Sequence, residues 1–311
     1  MEIHSLKSNN TIRIVEVGPR DGLQNESVFI PTEMKFKFIE NLIKAGHKNL
    51  EVTSFVSPKA IAQMKDSLNL YELVNKRIKD ESLNLSVFIA NEKGAENALK
   101  FGVKEISVFT TTSETFAEKN VRSTISGTIE RIQNIKKVSS KFKIRGYIST
   151  VFGCPFEKKY SDDKTLELIE KLLSLGCYEV ALGDTIGVAS PAHVKRLMEK
   201  IIQNFDSNQI AMHFHDTRGL AVANVYQSLE SGVRTFDASA GGLGGCPYAL
   251  GASGNIATED LCAILEAQGF EHGINLEKLE QASREIFETV KKKSNSKMNQ
   301  FIYKPGGSCG A

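Results

Sequence analysis

Along the 311-residue chain a glycine closes a helical stretch, and four and six residues later apolar side chains begin a short strand. The phrase occurs four times, in Gly46-HKNLEV, Gly102-VKEISV, Gly176-CYEVAL and Gly232-VRTFDA. Each places glycine where a helix C′ residue needs positive φ, so each marks a helix-to-strand junction. Runs rich in β-branched and other apolar residues predict eight strands, at about 12–17, 49–54, 85–90, 105–110, 143–150, 178–183, 210–215 and 235–240. Segments between them repeat apolar residues at helical spacing, as in Met34, Phe38, Leu42 and Ala45, or Leu166, Ile169, Leu172 and Leu173. Ser190 before Pro191, Ser161 before Asp162 and Asp163, and Thr258 before Glu259 and Asp260 mark helix starts. Strand then helix, eight times over, predicts a (β/α)8 barrel, and near-continuous apolar strands suit a sheet buried on both faces. A doubly wound open sheet is the alternative. Residues 276–295 read as one or two added helices and 304–311 as a flexible tail, which gives one barrel domain over 1–311.

Composition narrows the class. With 41% hydrophobic and 24% charged residues the chain has ample material for a core. A net charge of +2 is too balanced for a general nucleic-acid or membrane surface, and no nucleic-acid or membrane partner is expected. No stretch of about 18 apolar residues exists. Five cysteines, Cys154, Cys177, Cys246, Cys262 and Cys309, lack CxxC spacing, so free thiols in a reducing compartment are expected. The opening MEIHSLKSNN has no apolar secretory core, and the expected address is the cytoplasm.

In such a barrel reactive residues collect at the C-terminal ends of strands. Strand 1 runs into Arg20-Asp21, strand 2 carries Glu51, strand 6 ends in Asp184-Thr185, and strand 7 holds His213 and His215. The two histidines stand two apart and project from one face, where they serve either as core histidines or as ligands of one ion. Asp21 is the natural third ligand, and a side-chain oxygen of Asn255 could complete the set. Nitrogen and oxygen donors without thiolate suggest Mg²⁺ or Mn²⁺, with zinc left open. Arg20 is either an ion-pair arginine or a donor to a developing enolate oxygen. Glu51 and Asp184, within apolar strands, need either a structural cation or a role in the site. Cys246, in the glycine-rich loop after strand 8, is placed to donate a proton, since a thiol of pKa about 8.5 is mainly protonated at neutral pH; nucleophilic attack is the rival role. The loop lacks G-x-G-x-x-G, there is no P-loop Gly-Lys, and Gly251-Ala-Ser253-Gly-Asn is not G-x-S-x-G.

Across about residues 10–295 the sequence resembles the 3-hydroxy-3-methylglutaryl-CoA (HMG-CoA) lyase family of metal-dependent barrels, which are related to isopropylmalate and homocitrate synthases. The likeness is carried by VGPRDGLQNE (17–26), EVTSFVSPK (51–59), RGYIS and GCPFE (145–157), GCYEVALGDTIGV (176–188), HFHDTRG (213–219) and GGLGGCPYALGASGNIATEDL (241–261). The cysteine within GLGGCPYA is similar to the lyase branch. The resemblance implies Asp21, His213, His215 and Asn255 as metal ligands, Arg20 as the residue that polarises the substrate carbonyl, and Cys246 as a loop cysteine needed for turnover. Glu51 and Asp184 would be further catalytic residues, and Thr185 a substrate contact. Arg218 departs from the family pattern, where an aromatic is expected, and 110–124 follows it loosely. The implied reaction is cleavage of (S)-HMG-CoA to acetyl-CoA and acetoacetate, with Asp184 or His213 as base, an acyl-CoA as the partner molecule and a homodimer or higher homo-oligomer as the assembly. A condensing synthase on the same barrel and a non-catalytic acyl-CoA or metal-binding protein are the alternatives.

Overall fold

A computed structural model describes residues 10–245 and 254–302. Eight parallel strands close in sequence order: β1 (Arg13–Glu16), β2 (Asn49–Phe55), β3 (Asn84–Ile89), β4 (Glu105–Thr111), β5 (Lys143–Ser149), β6 (Cys177–Asp184), β7 (Ile210–Phe214) and β8 (Thr235–Ala238). Closure is explicit in the pairing of Arg13 with Thr235 through Glu16 with Ala238, which rules out the open-sheet alternative. All eight strands fall within two residues of the predicted runs.

The helices on the outer face are α1 (Thr32–Lys44), α2 (Ser67–Arg77), α3 (Glu92–Lys100), α4 (Glu114–Val121), α5 (Ile125–Val138), α6 (Asp162–Ser174), α7 (Pro191–Ile201), α8 (Ala221–Glu230) and α9 (Thr258–Ala267). Two more, α10 (Leu276–Val290) and α11 (Lys297–Ile302), follow, so the second added helix begins past the expected limit of 295. Helix α10 packs on α1, where Glu285 accepts from Lys37 at 2.9 Å and Asn41 at 3.1 Å. The hydroxyls of Ser161 and Ser190 cap α6 and α7 as expected, accepting from the amides of Lys164 and His193. Thr258 does not cap α9: it is the first helical residue and its hydroxyl donates to Glu16 at 2.7 Å. Glu259 likewise does more than meet a helix dipole, because it is fully buried and accepts from the Gly241 amide, Ser283 and Asn299.

All four junction glycines have positive φ, from 71° at Gly102 to 106° at Gly46. At Gly46 a Cβ would also stand 2.3 Å from the Gly273 carbonyl oxygen, which is backbone and cannot swing away. Gly46→Ala should therefore destabilise the fold by about 1–3 kcal/mol, read as a lowered urea midpoint with unchanged slope.

The strand face turned toward the helices carries the main apolar core. Ile144, Ile148, Val180, Leu182, Ile210, Met212, Phe214 and Phe236 belong to the large core between sheet and helices. The alternating positions face the barrel axis, and several of them carry charge. Arg145 of β5 bonds to Asp237 of β8, and Arg13 of β1 to Glu179 of β6, and such links between non-neighbouring strands can only run through the interior. A small apolar cluster of Tyr147, Ala181 and Ala211, with Phe88 and Phe109 against it, fills the axis beside this charged layer.

Glu16, at the end of β1, ties three segments together. Its Oε1 accepts from the Gly18 amide at 2.8 Å and the Ala240 amide at 3.0 Å, and its Oε2 from Thr258. Burial outweighs these bonds and pushes its carboxyl from the ordinary 4.5 up to about 7. An unfolded chain releases this proton near 4.5, so between that pH and about 7 the folded state binds more protons than the unfolded one. This group's contribution is therefore complete at low pH and lost as pH rises through about 7. Glu16→Gln, which keeps the acceptor and the shape, should flatten the decline in urea midpoint across that window.

Candidate active site

The turn Gly18–Gly22 follows β1 at once and is closed by the amides of Arg20 and Gly22, each donating to the Val17 carbonyl at 3.1 Å. It sets Arg20 and Asp21 at the C-terminal mouth of the barrel. Arg20 is buried and ion-paired, with Nη1 donating to Asp21 Oδ1 at 2.7 Å and Nε donating to Glu51 Oε1. Its guanidinium carbon lies 5.0 Å from the centre of the Phe88 ring and 5.7 Å from that of Tyr147. Burial disfavours the cation, but Glu51 and Asp21 more than offset it and hold the Arg20 pKa above its ordinary value.

Glu51 sits where the β2–β3 register shifts, and its second oxygen accepts from Ser107 of β4. Both oxygens are thus committed to fixing Arg20 and the neighbouring strand. Asp184 ends β6 with both oxygens taken as well, by the amides of Val188 at 2.9 Å and Ala189 at 3.0 Å. Burial raises its carboxyl to about 6. Thr185 accepts from the Thr150 amide at 2.8 Å and lines the cavity described below, whereas Asp184 does not.

His213 and His215 face the same space, with their Nε2 atoms 3.3 Å apart. One ligand atom from each, together with an Asp21 oxygen, lies within 4.8 Å of the others. Burial would raise the Asp21 carboxyl, but Arg20, His213 and His215 outweigh it and hold it below the ordinary value. Burial, with His213 beside it, lowers His215 to about 4, so its imidazole is neutral near pH 7. Asn255 is brought alongside by a bridge to His215, flanked by the Ile256 amide on the Phe214 carbonyl and the Asp216 amide on the Gly254 carbonyl, both at 2.9 Å. A Cβ on Gly254 would stand 2.5 Å from the Gly244 carbonyl carbon, so only glycine lets the two ends of the 245–254 segment meet. The Asn255 amide nitrogen donates to Asp21 Oδ2 at 2.9 Å and to the Leu243 carbonyl at 3.1 Å, while its Oδ1 is buried with no hydrogen-bond partner among the described residues. A divalent cation suits this set: a carboxylate, two close ring nitrogens that cannot both carry protons toward each other, and an amide oxygen that needs one.

Behind His213 lies a group that the pattern of residues did not single out. Its Nδ1 is 3.1 Å from Asp237 Oδ2, and Asp237 is paired with Arg145, which also reaches Glu179. Burial would raise the Asp237 carboxyl, but Arg145 dominates and pulls it down to about 2. The one local signal was charge inside strands, the same signal that singled out Glu51.

Arg20, Asp21, His213 and His215 floor a cavity of about 1080 Å³. Among the described residues its lining includes five cations, Arg20, Lys59, Lys119, Arg122 and Arg131, and a single carboxylate, Asp21. Lys59, Lys119 and Arg122 are exposed on the solvent side, and Phe88, Phe109 and Tyr147 wall the inner part. Gly245 lines it too, but Cys246, which follows, lies outside the described residues, as do Cys309 and the expected tail at 304–311. Cys154, Cys177 and Cys262 are free and buried. Cys154 is not merely apolar filling, because its sulfur accepts from the amides of Phe156 and Glu157 at 3.4 Å.

The pattern that defines the HMGL-like family matches residues 11–286. The chain belongs to the HMGL-like family. It is 44% identical over 295 residues to the mitochondrial hydroxymethylglutaryl-CoA lyase of Bos taurus, covering 94% of this chain and 90% of that one. It is 43% identical to hydroxymethylglutaryl-CoA lyase YngG of Bacillus subtilis, covering 90% and 94%. Among solved structures, the Bacillus subtilis HMG-CoA lyase superposes with a TM-score of 0.91 at 41% identity, over 95% of this chain and 99% of that one. An HMG-CoA lyase from Acinetobacter baumannii, solved with coenzyme A and 3-methylmalate, gives 0.90 at 35% identity over 97% and 98%. These two solved lyases share this barrel along nearly its whole length, and no helix among the described residues is long and apolar enough to cross a membrane.

Proposed function

We propose that this chain cleaves (S)-3-hydroxy-3-methylglutaryl-CoA to acetyl-CoA and acetoacetate, with Mg²⁺ or Mn²⁺ held by Asp21, His213, His215 and Asn255. The observation that carries the reading is the convergence of Asp21, His213 and His215 beside the buried Arg20 at the floor of a cation-lined cavity. Bound there, the metal supplies Lewis-acid polarisation of the substrate's hydroxyl and carboxylate oxygens. Lys59, Lys119, Arg122 and Arg131 suit the phosphates of an acyl-CoA, and the inner aromatic wall suits its acyl end.

The 3-hydroxyl proton must leave before C2–C3 breaks. Asp184 has both oxygens taken by amides of its own loop and does not line the cavity, which argues against it as the base that receives this proton. When the bond breaks, its electron pair passes to C2 and the thioester oxygen gains enolate charge. Arg20 is held against Glu51 and Asp21 before any substrate arrives, so its cation stabilises that charge without reorganising. Glu51 is a positioning residue in this scheme. Cys246, next after the cavity-lining Gly245, gives the proton that turns the enolate into acetyl-CoA. The buried free thiols support a reducing compartment such as the cytoplasm.

Incubating the purified chain with HMG-CoA should yield acetoacetate with Mg²⁺ or Mn²⁺ and none after chelation. Product only from acetyl-CoA and a 2-oxo acid would make it a synthase, and metal uptake without turnover a binding protein.

A further inference from the structure

Inside a barrel, the partners of a buried carboxylate decide which neighbouring atoms must carry hydrogen. Asp237 is 1% exposed and receives two bonds from one guanidinium: Arg145 Nη2 donates to Oδ1 at 2.7 Å and Nη1 to Oδ2 at 3.1 Å. Arg145 is itself fixed, donating from Nε to Glu179 at 2.6 Å and from Nη1 to the Tyr147 hydroxyl at 2.8 Å. A carboxylate forked in this way has only acceptor oxygens to offer its next neighbour. That neighbour is His213 Nδ1, 3.1 Å from Oδ2, so the hydrogen of this contact belongs to the ring. A neutral imidazole with hydrogen on Nδ1 has its lone pair on Nε2, and Nε2 is the atom that faces His215 across 3.3 Å in the cluster with Asp21.

We propose that Asp237, clamped by Arg145, is a positioning residue that fixes His213 in the Nδ1–H tautomer and aims the Nε2 lone pair into the Asp21–His215 cluster to take a divalent cation. This rests on the reading of that cluster as a metal centre. A carboxylate behind a ligating histidine orients the ring and raises its basicity, and losing it costs about 10–100-fold in metal affinity. The two strands concerned lie side by side: His213 pairs with Asp237 in the β7–β8 ladder, which places the pair by register.

An asparagine at 237 cannot accept on both terminal atoms. With its amide nitrogen at the Oδ2 place it donates to Nδ1 and drives the ring hydrogen to Nε2, where it blocks the metal. Asp237→Asn in the full chain should therefore weaken Mn²⁺ binding about 10–100-fold, followed by the free-ion electron paramagnetic resonance signal. Glu179→Gln perturbs the same charged layer one bond further from the ring and should stay within about threefold of the wild type. In the metal-free wild type, ¹⁵N spectra of the six histidines, with His213 assigned by its loss in His213→Asn, should place its hydrogen on Nδ1. Hydrogen on Nε2, or unchanged Mn²⁺ affinity in Asp237→Asn, overturns the assignment. If that variant does not fold, the wild-type tautomer decides alone. A wild-type chain that binds no Mn²⁺ but has the expected tautomer would instead overturn the metal reading, and with it the role given to Asp237.

Discussion

His213→Ala is expected to lose both Mn²⁺ retention and acetoacetate formation while remaining folded. The side chain is nearly buried but belongs to the floor of an open cavity, and its loss leaves Asp21, His215 and Asn255 without the fourth donor. Lewis-acid polarisation contributes several kcal/mol to reactions of this kind, so turnover should fall about a thousandfold or more. Equilibrium dialysis against Mn²⁺ beside the acetoacetate assay checks both halves, and a thermal melt checks the fold. Full activity with weakened binding would detach the metal from the chemistry.

Arg20→Gln should have the other large effect, and of a different kind. Arg20 touches the site through Asp21 Oδ1 and supports it through Glu51, so the variant removes the cation aimed at the developing enolate and leaves the metal donors in place. Removing one preorganised donor of this type lowers kcat about 10²–10³-fold. Mn²⁺ affinity should change only a few-fold, which separates this variant from His213→Ala. The variant should also melt lower, because Glu51, 1% exposed, keeps Ser107 as its partner among the described residues but loses its neutralising cation, and a buried carboxylate without one is costly. A normal kcat with a raised KM would make Arg20 a binding residue alone.

The fold was legible because a closed parallel sheet buries the outer face of every strand under helices, and that face left apolar runs that need no partner to be recognised. The junction glycines added boundaries, since a backbone at φ of 71–106° selects glycine wherever it occurs. Helix α4 was less visible: it is short, starts with the capping Ser113, ends at Arg122 in the left-handed region and falls in the segment that follows the family pattern loosely. The metal cluster could be read because His213 and His215 alternate across the end of β7 and Asp21 lies in the turn that follows β1, so local spacing carried the geometry. Asn255 depended on a chain return across positions 245–254.

The buried charges were harder. Glu51 and Asp184 gave the same signal, a carboxylate in an apolar strand, yet one grips Arg20 and the other caps two amides of its own loop. Sequence marks the need for a partner without naming it. Arg145 and Asp237 are 92 positions apart and meet only across the barrel axis, at a place where the β5–β6 register shifts beside Arg145. Neither periodicity nor spacing encodes such a contact. Cys154 likewise receives two amide hydrogens only because a turn folds over it.

The most direct test of the whole account is anomalous diffraction from crystals of the full chain grown or soaked with Mn²⁺. A single strong peak among Asp21, His213, His215 and the Asn255 oxygen is the predicted result; a peak elsewhere on the chain, with that cluster unoccupied, would contradict it.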